Sequence, residues 1–149
     1  MTAPPGMDAS GPFANTRFRV EIEGMKGTGA LEVILPEARI VPSRRASVTR
    51  YGNLVLKRGL TQSSEWYDWW DRARRSKSAP KRTVKVVLID ARGEDANRWT
   101  LSDVRPLAYH VSALNALGAE VLIETLELAV GALRADYSRV TAVRHMPRT

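Results

Sequence analysis

The sequence predicts a mainly β domain carrying one packed helix, and three observations predict it. Phe18, Val20 and Ile22 alternate with Arg17, Arg19, Glu21 and Glu23, the two-residue period of a half-buried strand. Residues 83–90 repeat the pattern, with Val84, Val86 and Leu88 on one face and Val87 and Ile89 on the other. Between them, Trp66, Trp69, Trp70 and Ala73 recur at i, i+3, i+4 and i+7, the spacing of a single helix face.

The elements follow in order. Residues 1–14 hold Pro4, Pro5, Gly6, Gly11 and Pro12 among small residues, too little apolar surface to offset the entropy of ordering. They read as a flexible tail, or alternatively as a tail that docks in an assembly through Phe13. Gly24, Gly27 and Gly29 turn the chain, and Ala30–Leu35 returns as the next strand. The Gly-x-x-Gly-x-Gly spacing, with no helix pattern after it, does not make a phosphate cradle. Pro36 and Pro42 bracket an extended, exposed segment. Residues 43–52 then hold Arg44, Arg45 and Arg50 with no aromatic before Tyr51, which suits a solvated loop or a contact arm.

Ser63 or Ser64 can cap the helix, Glu65 and Asp68 lie in its first turns, and Arg72, Arg74 and Arg75 lie toward its end, all matching the helix dipole. Each indole buries a large area, so Trp66, Trp69 and Trp70 read as core anchors. A base-stacking platform beside Arg and Lys is the competing reading. Residues 76–82 form a basic loop. The strand at 83–90 is apolar on both faces near its end, which predicts cover from the helix on one side and from a second sheet or a neighbouring subunit on the other. Val87 and Ile89 are therefore candidate subunit-interface residues. Ala91-Arg92-Gly93-Glu94 is turn chemistry, and Arg98–Leu101 resumes as a strand leading into Val104–Tyr109. In residues 114–134, Leu122, Leu126, Ala129 and Leu133 fit a helical stripe, and propensity alone favours helix.

Composition narrows the function. The 149 residues, 44% hydrophobic, suffice for one core. No apolar run approaches the roughly 18 residues of a membrane span, and the N-terminus does not look like a secretion signal, so cytoplasmic synthesis without membrane insertion is expected. Cysteine is absent, which removes disulfides, thiolate catalysis and cysteine-ligated zinc. His110 and His145 stand far apart without metal-ligand spacing, and no nucleophile elbow or phosphate loop occurs. The carboxylate pairs Asp68/Asp71 and Glu124/Glu127 read as solvent or interface charges. Neither catalysis nor a cofactor is expected. A formal charge of +7 favours acidic partners.

Four segments in fixed order carry a family resemblance. They are Asn53-Leu-Val-Leu-Lys-Arg-Gly-Leu60, Glu65-Trp-Tyr-Asp-Trp-Trp70, Val84–Ile89 with Arg98-Trp99, and Ile123-Glu-Thr-Leu-Glu-Leu128, with Pro106 and Tyr109 matching between the last two. Together they resemble the tail-tube proteins of contractile phage tails and phage-like contractile injection systems, over about Asn15 to Gly131. The resemblance implies a small antiparallel β-barrel or sandwich with one packed helix and an extended loop or hairpin arm, a fold shared with the haemolysin-coregulated proteins of type VI secretion. It implies a strand, not a helix, at Ile123–Leu128, and adds Trp99 to the core anchors.

By the same resemblance, six subunits close a ring, and rings stack into a hollow tube inside a contractile sheath, in a particle that can leave the cell. The implied partners are further copies of the chain, a sheath protein, and baseplate or tube-end proteins, with acidic cargo or nucleic acid in the lumen. Arg39, Arg44, Arg45, Arg50 and Tyr51 would form the inter-ring arm. Two departures stand out: residues 33–42 lack the apolar, glycine-containing pattern usual after the first hairpin, and the charge balance is basic. They leave room for a tube-end or baseplate paralogue. A basic nucleic-acid-binding module is the rival from a different class, although the chain carries no signature of one. The basic extension 132–149 lies beyond the matched segment.

Overall fold

The alternation at the start of the chain becomes strand β1 (Phe18–Ile22), with Val20 and Ile22 buried. After it come β2 (Ala30–Ile34), β3 (Ala38–Val41), β4 (Val48–Tyr51), β5 (Leu54–Gly59), helix α1 (Glu65–Arg75), β6 (Arg82–Ile89), β7 (Asp95–Val111), β8 (Ile123–Ala129) and β9 (Ala132–Asp136). This computed structural model describes residues 13, 17–26 and 29–137. Apart from Phe13, the expectation for the tail at residues 1–14 lies outside those residues, as do most of the C-terminal extension and Gly27 in the predicted turn. Phe13 is exposed. No described helix is long and apolar enough to cross a membrane.

Seven strands form one hydrogen-bonded system in the order β1-β6-β7-β8-β5-β2, with β9 added on β7, and β3 and β4 pair separately. The long strand β7 makes this possible. Its first half pairs with β6 and β9, and its second half, from Arg105 onward, pairs with β8. Two antiparallel sheets are thus joined through one strand. Their inner faces meet in a single core, with Val20, Ile22, Val84, Val86 and Leu101 from one sheet against Leu54, Leu56, Leu126 and Leu128 from the other. Of the expected barrel or sandwich, the open form is found. The end strands β1 and β2 do not pair with each other, so the barrel does not close.

The passage of β7 between the sheets has a visible cause. Asp103 takes φ 53°, the left-handed region that few side-chain-bearing residues adopt. Opposite it, the Gly131 amide donates to the Ser102 carbonyl at 3.0 Å, and a Cβ on Gly131 would sit 2.7 Å from Asp103 Cβ. Only glycine allows that approach.

Local propensity loses at β8. A helix over residues 114–134 would leave the edges of β5 and β7 unpaired, whereas the strand bonds to both, Leu126 standing opposite Leu56 on one side and Tyr109 on the other. The extension begins with a strand, β9, which continues the sheet of β7.

Candidate assembly surfaces and the buried knot beneath them

Alternation along β5 puts Leu54, Leu56 and Arg58 on the inward face, and along β8 it puts Glu124, Leu126 and Leu128 there. Two ionic side chains are therefore driven into the core. They meet: Arg58 Nε donates to Glu124 Oε1 at 2.7 Å, with Arg58 5% and Glu124 1% exposed. The second carboxylate oxygen accepts from the Tyr109 hydroxyl at 2.6 Å. The guanidinium lies 4.1 Å from the ring centroid of Trp66, a cation–π contact in a desolvated place. Burial, then the hydrogen bond to Glu124, holds the Tyr109 phenol well above its usual range.

This knot draws one residue from the Lys57-Arg58-Gly59 strand, one from the tryptophan helix, one from the segment after Pro106 and one from the Ile123–Leu128 strand. It also corrects the sequence reading of Glu124 as a solvent or interface charge. Glu127 does point the other way, where its Oε2 accepts from Asn53 Nδ2. The signal was present: Glu124 is in phase with Leu126 and Leu128, and Arg58 with Leu54 and Leu56. Asp71 is likewise not freely solvated. Its side chain is 18% exposed and takes Arg74 at 2.8 Å and Arg75 at 2.9 Å.

Trp66 and Trp69 lie in the core, while Trp70 and Trp99 are half-buried and pack against it. Trp70 donates from Nε1 to the Leu107 carbonyl at 3.2 Å and clusters with Tyr67 and Tyr109. Trp99 meets Tyr137 edge-on. Val87 is buried within its own chain, so a neighbour could cover no more of it, and Ile89 is half-buried.

The arm residues fall on the separate hairpin. Arg39 and Arg50 stand directly opposite each other, Ala38 faces Tyr51, and Arg44 and Arg45 lie in the turn between the strands. Two cations in register repel. Glu37 relieves the strain by accepting from Arg39 Nε at 3.0 Å. Arg44, Arg45 and Arg50 are exposed, and Tyr51 is half-buried. The hairpin also exposes Ile40 (68%) and Val48, and the loop between β7 and β8 exposes Leu114, Leu117 (97%) and Val121. Pattern reading does not single out this second apolar group, whose residues lie within 114–134, where propensity alone favours helix, but off the Leu122, Leu126, Ala129 and Leu133 stripe.

Across the other edge, Arg19 makes a two-pronged bond to Asp95, at 3.0 and 2.9 Å, and so ties β1 to the start of β7 over β6. Hydrogen bonding from Arg19 keeps the Asp95 carboxyl below its usual range. No cluster of metal-ligating side chains occurs among the described residues.

Comparison with solved structures places the fold. A chain of the anti-feeding prophage baseplate is 23% identical with a TM-score of 0.63, over 88% of this chain and 99% of that one. A chain of the sheath–tube complex of an extracellular contractile injection system, PVC, is 16% identical with a TM-score of 0.71, over 92% and 99%. Hcp1 from Flavobacterium johnsoniae is 14% identical with a TM-score of 0.60, over 82% and 96%. A search of curated protein sequences gives no significant match. The family model described as T4-like virus tail tube protein gp19 matches residues 14–134, through both sheets, the helix and the hairpin. The chain belongs to this family of structural tail tube proteins.

Proposed function

We propose that the chain is a tube subunit that closes into six-membered rings, which stack to form the inner conduit of a contractile tail or injection particle. The observation that carries the reading is the family match over residues 14–134, combined with large apolar side chains left uncovered on the hairpin and on the loop between β7 and β8. Ile40, Val48, Leu114, Leu117 and Val121 are what a neighbouring copy would cover. Repeated head-to-tail contacts close a ring when the rotation between copies permits, and lasting interfaces of this kind bury roughly 2,000 Å² or more. The hairpin, paired outside the main sheets, is the element that reaches the next ring. A sheath is the expected outer partner. Assembly takes place in the cytoplasm, and the finished particle is released.

A second reading, a specialised subunit at the baseplate end of the tube, is favoured by one observation. Identity to the baseplate chain of the anti-feeding prophage is 23%, against 16% for the PVC sheath–tube chain, while the TM-scores, 0.63 and 0.71, run the other way and keep this reading second. Negative-stain microscopy of the purified chain tests both readings. Rings that stack into tubes support the main one, and single rings that never elongate support the second. A monodisperse monomer at high concentration would overturn both.

A further inference from the structure

A concavity of about 260 Å³ opens where the C-terminal end of α1 and the loop after it meet Arg105–Leu107 of β7. Its floor is apolar: Trp70, Pro106 and Leu107. The Trp70–Leu107 hydrogen bond, at 3.2 Å, holds the indole in place. Its rim is basic: Arg74, Lys77 and Arg105, with no acidic residue among those lining it. Arg74 is already committed to Asp71 and lies 5.6 Å from the Trp70 ring centroid. Lys77 and Arg105 have no ion-pair partner among the described residues.

We infer that this groove docks an acidic amphipathic segment of another protein, with an apolar side chain seated between Trp70 and Leu107 and carboxylates meeting Lys77 and Arg105. Charge complementarity selects the occupant. Residues 138–149 and 1–12 do not match it, because the first carry Arg139, Arg144 and Arg148 with no acid and the second carry Asp8 alone. A nucleic-acid strand fits less well. Stacking requires open ring faces, whereas Trp70, Tyr67 and Tyr109 pack against one another, Tyr67 and Tyr109 edge-to-face at 73°. Apolar anchors in a groove with charged flanks are how amphipathic helices are held. The inference does not depend on ring closure.

The test is fluorescence anisotropy of a labelled synthetic helix, leucine on one face and glutamate on the other, titrated with the full-length chain at moderate salt. Control probes are the same peptide with lysine for glutamate, the same peptide with serine for leucine, and a single-stranded oligonucleotide. The protein variants are Leu107→Ser and the double change Lys77→Glu, Arg105→Glu, all at exposed positions, with folding checked by circular dichroism. The acidic amphipathic peptide should bind, and each variant and each control peptide should weaken binding at least tenfold. Absence of binding, binding unchanged by the variants, or an oligonucleotide held more tightly and lost in the same variants would overturn the inference. So would variants that change the assembled size by light scattering, which would assign the groove to a second copy. Normal rings without peptide binding sink only the groove, while peptide binding by a chain that never forms rings sinks only the tube reading.

Discussion

Arg58 and Glu124, separated by 66 positions, stand directly opposite each other across β5 and β8 and share a 2.7 Å hydrogen bond inside the core. Such a pair is weak evidence of net stability, because removing two charges from water costs about as much as their attraction returns. What it does fix is register. A one-residue slip of β8 would turn Glu124 outward, bring Glu127 in, and leave Arg58 buried without its carboxylate. Tyr109 binds the second carboxylate oxygen and the Trp66 ring lies against the guanidinium, so the helix and β7 are tied to the same contact, while Arg58 Nη2 stays buried without a hydrogen-bond partner.

Breaking a buried ion pair from one side costs far more than replacing both partners with apolar side chains. Glu124→Ala strands a buried guanidinium and should lower unfolding free energy by about 3–5 kcal/mol, whereas Arg58→Met combined with Glu124→Leu should recover most of the loss. Chemical denaturation measures both. A double variant as unstable as the single would show that the pair contributes more than its own desolvation.

The knot also shows how far the sequence could be read. Alternation at Phe18–Ile22 and the 3–4 spacing of Trp66 and Trp69 are local periodicities produced by burial on one side, and they were legible. The strand at Ile123–Leu128 was not legible from propensity, since its conformation is set by pairing with β5 and β7 on either side. Taken alone, Glu124 reads as a solvent or interface charge, because a carboxylate normally marks solvent. Only its phase with Leu126 and Leu128, taken together with Arg58 in phase with Leu54 and Leu56, reveals a buried pair. The crossing of β7 between the sheets depends on Asp103 and Gly131, which are far apart in sequence and individually unremarkable in pattern.

Tyr109 gives a pH signature. Its phenol is raised above the ordinary value by burial and by the Glu124 carboxylate, so its stabilising effect is fully present below the unfolded-state value of about 10 and is lost as pH climbs toward the folded-state value. Tyr109→Phe, which leaves a Glu124 oxygen unpaired, should cost about 1–3 kcal/mol at neutral pH. The gap between wild type and variant should stay constant up to about pH 10 and narrow above it. Denaturation midpoints measured from pH 7 upward check this, and a gap that widens in alkali would refute the assignment.

The tryptophans should separate by burial. Trp66→Ala and Trp69→Ala remove side chains that are 0% and 3% exposed and should each cost about 3–5 kcal/mol. Trp70→Ala, at a half-buried position, should cost clearly less. Thermal melts rank the three. A Trp69→Ala chain that folds normally and loses only ligand binding would return these residues to the stacking-platform reading.

Gly131→Ala places a methyl 2.7 Å from Asp103 Cβ and 3.1 Å from the Ser102 carbonyl, both on β7 at its crossing point. Neither backbone can yield without disturbing the β7–β9 pairing, so a loss of about 1–3 kcal/mol is expected. Protection from hydrogen exchange should fall at residues 132–136 before it falls in β6. Uniform loss across both strands would mean that the crossing point and the sheet unfold together.

The hairpin carries the prediction that bears most on assembly. Within one chain, Ile40 is 68% exposed, Arg44, Arg45 and Arg50 are exposed, and Arg50 lies in register with Arg39, an arrangement that a free subunit gains little from keeping. In a stack the same features become useful: Ile40 would be covered by the next ring, and the arginines would meet its carboxylates. Charge pairs desolvated there would be costly to break from one side, while those left at the rim would matter much less. Ile40→Asp, and separately the triple change of Arg44, Arg45 and Arg50 to Glu, should leave the melting temperature of the single ring within a few degrees of wild type, since none of these side chains enters the core. Both should shorten or abolish tubes seen by negative stain. Hydrogen exchange in β3 and β4 should slow on stacking in the wild type and not in the variants. Tubes of normal length in both variants, or equal protection of the hairpin in single rings and in stacks, would make this segment a solvated loop and move the ring-to-ring contact to Leu114, Leu117 and Val121.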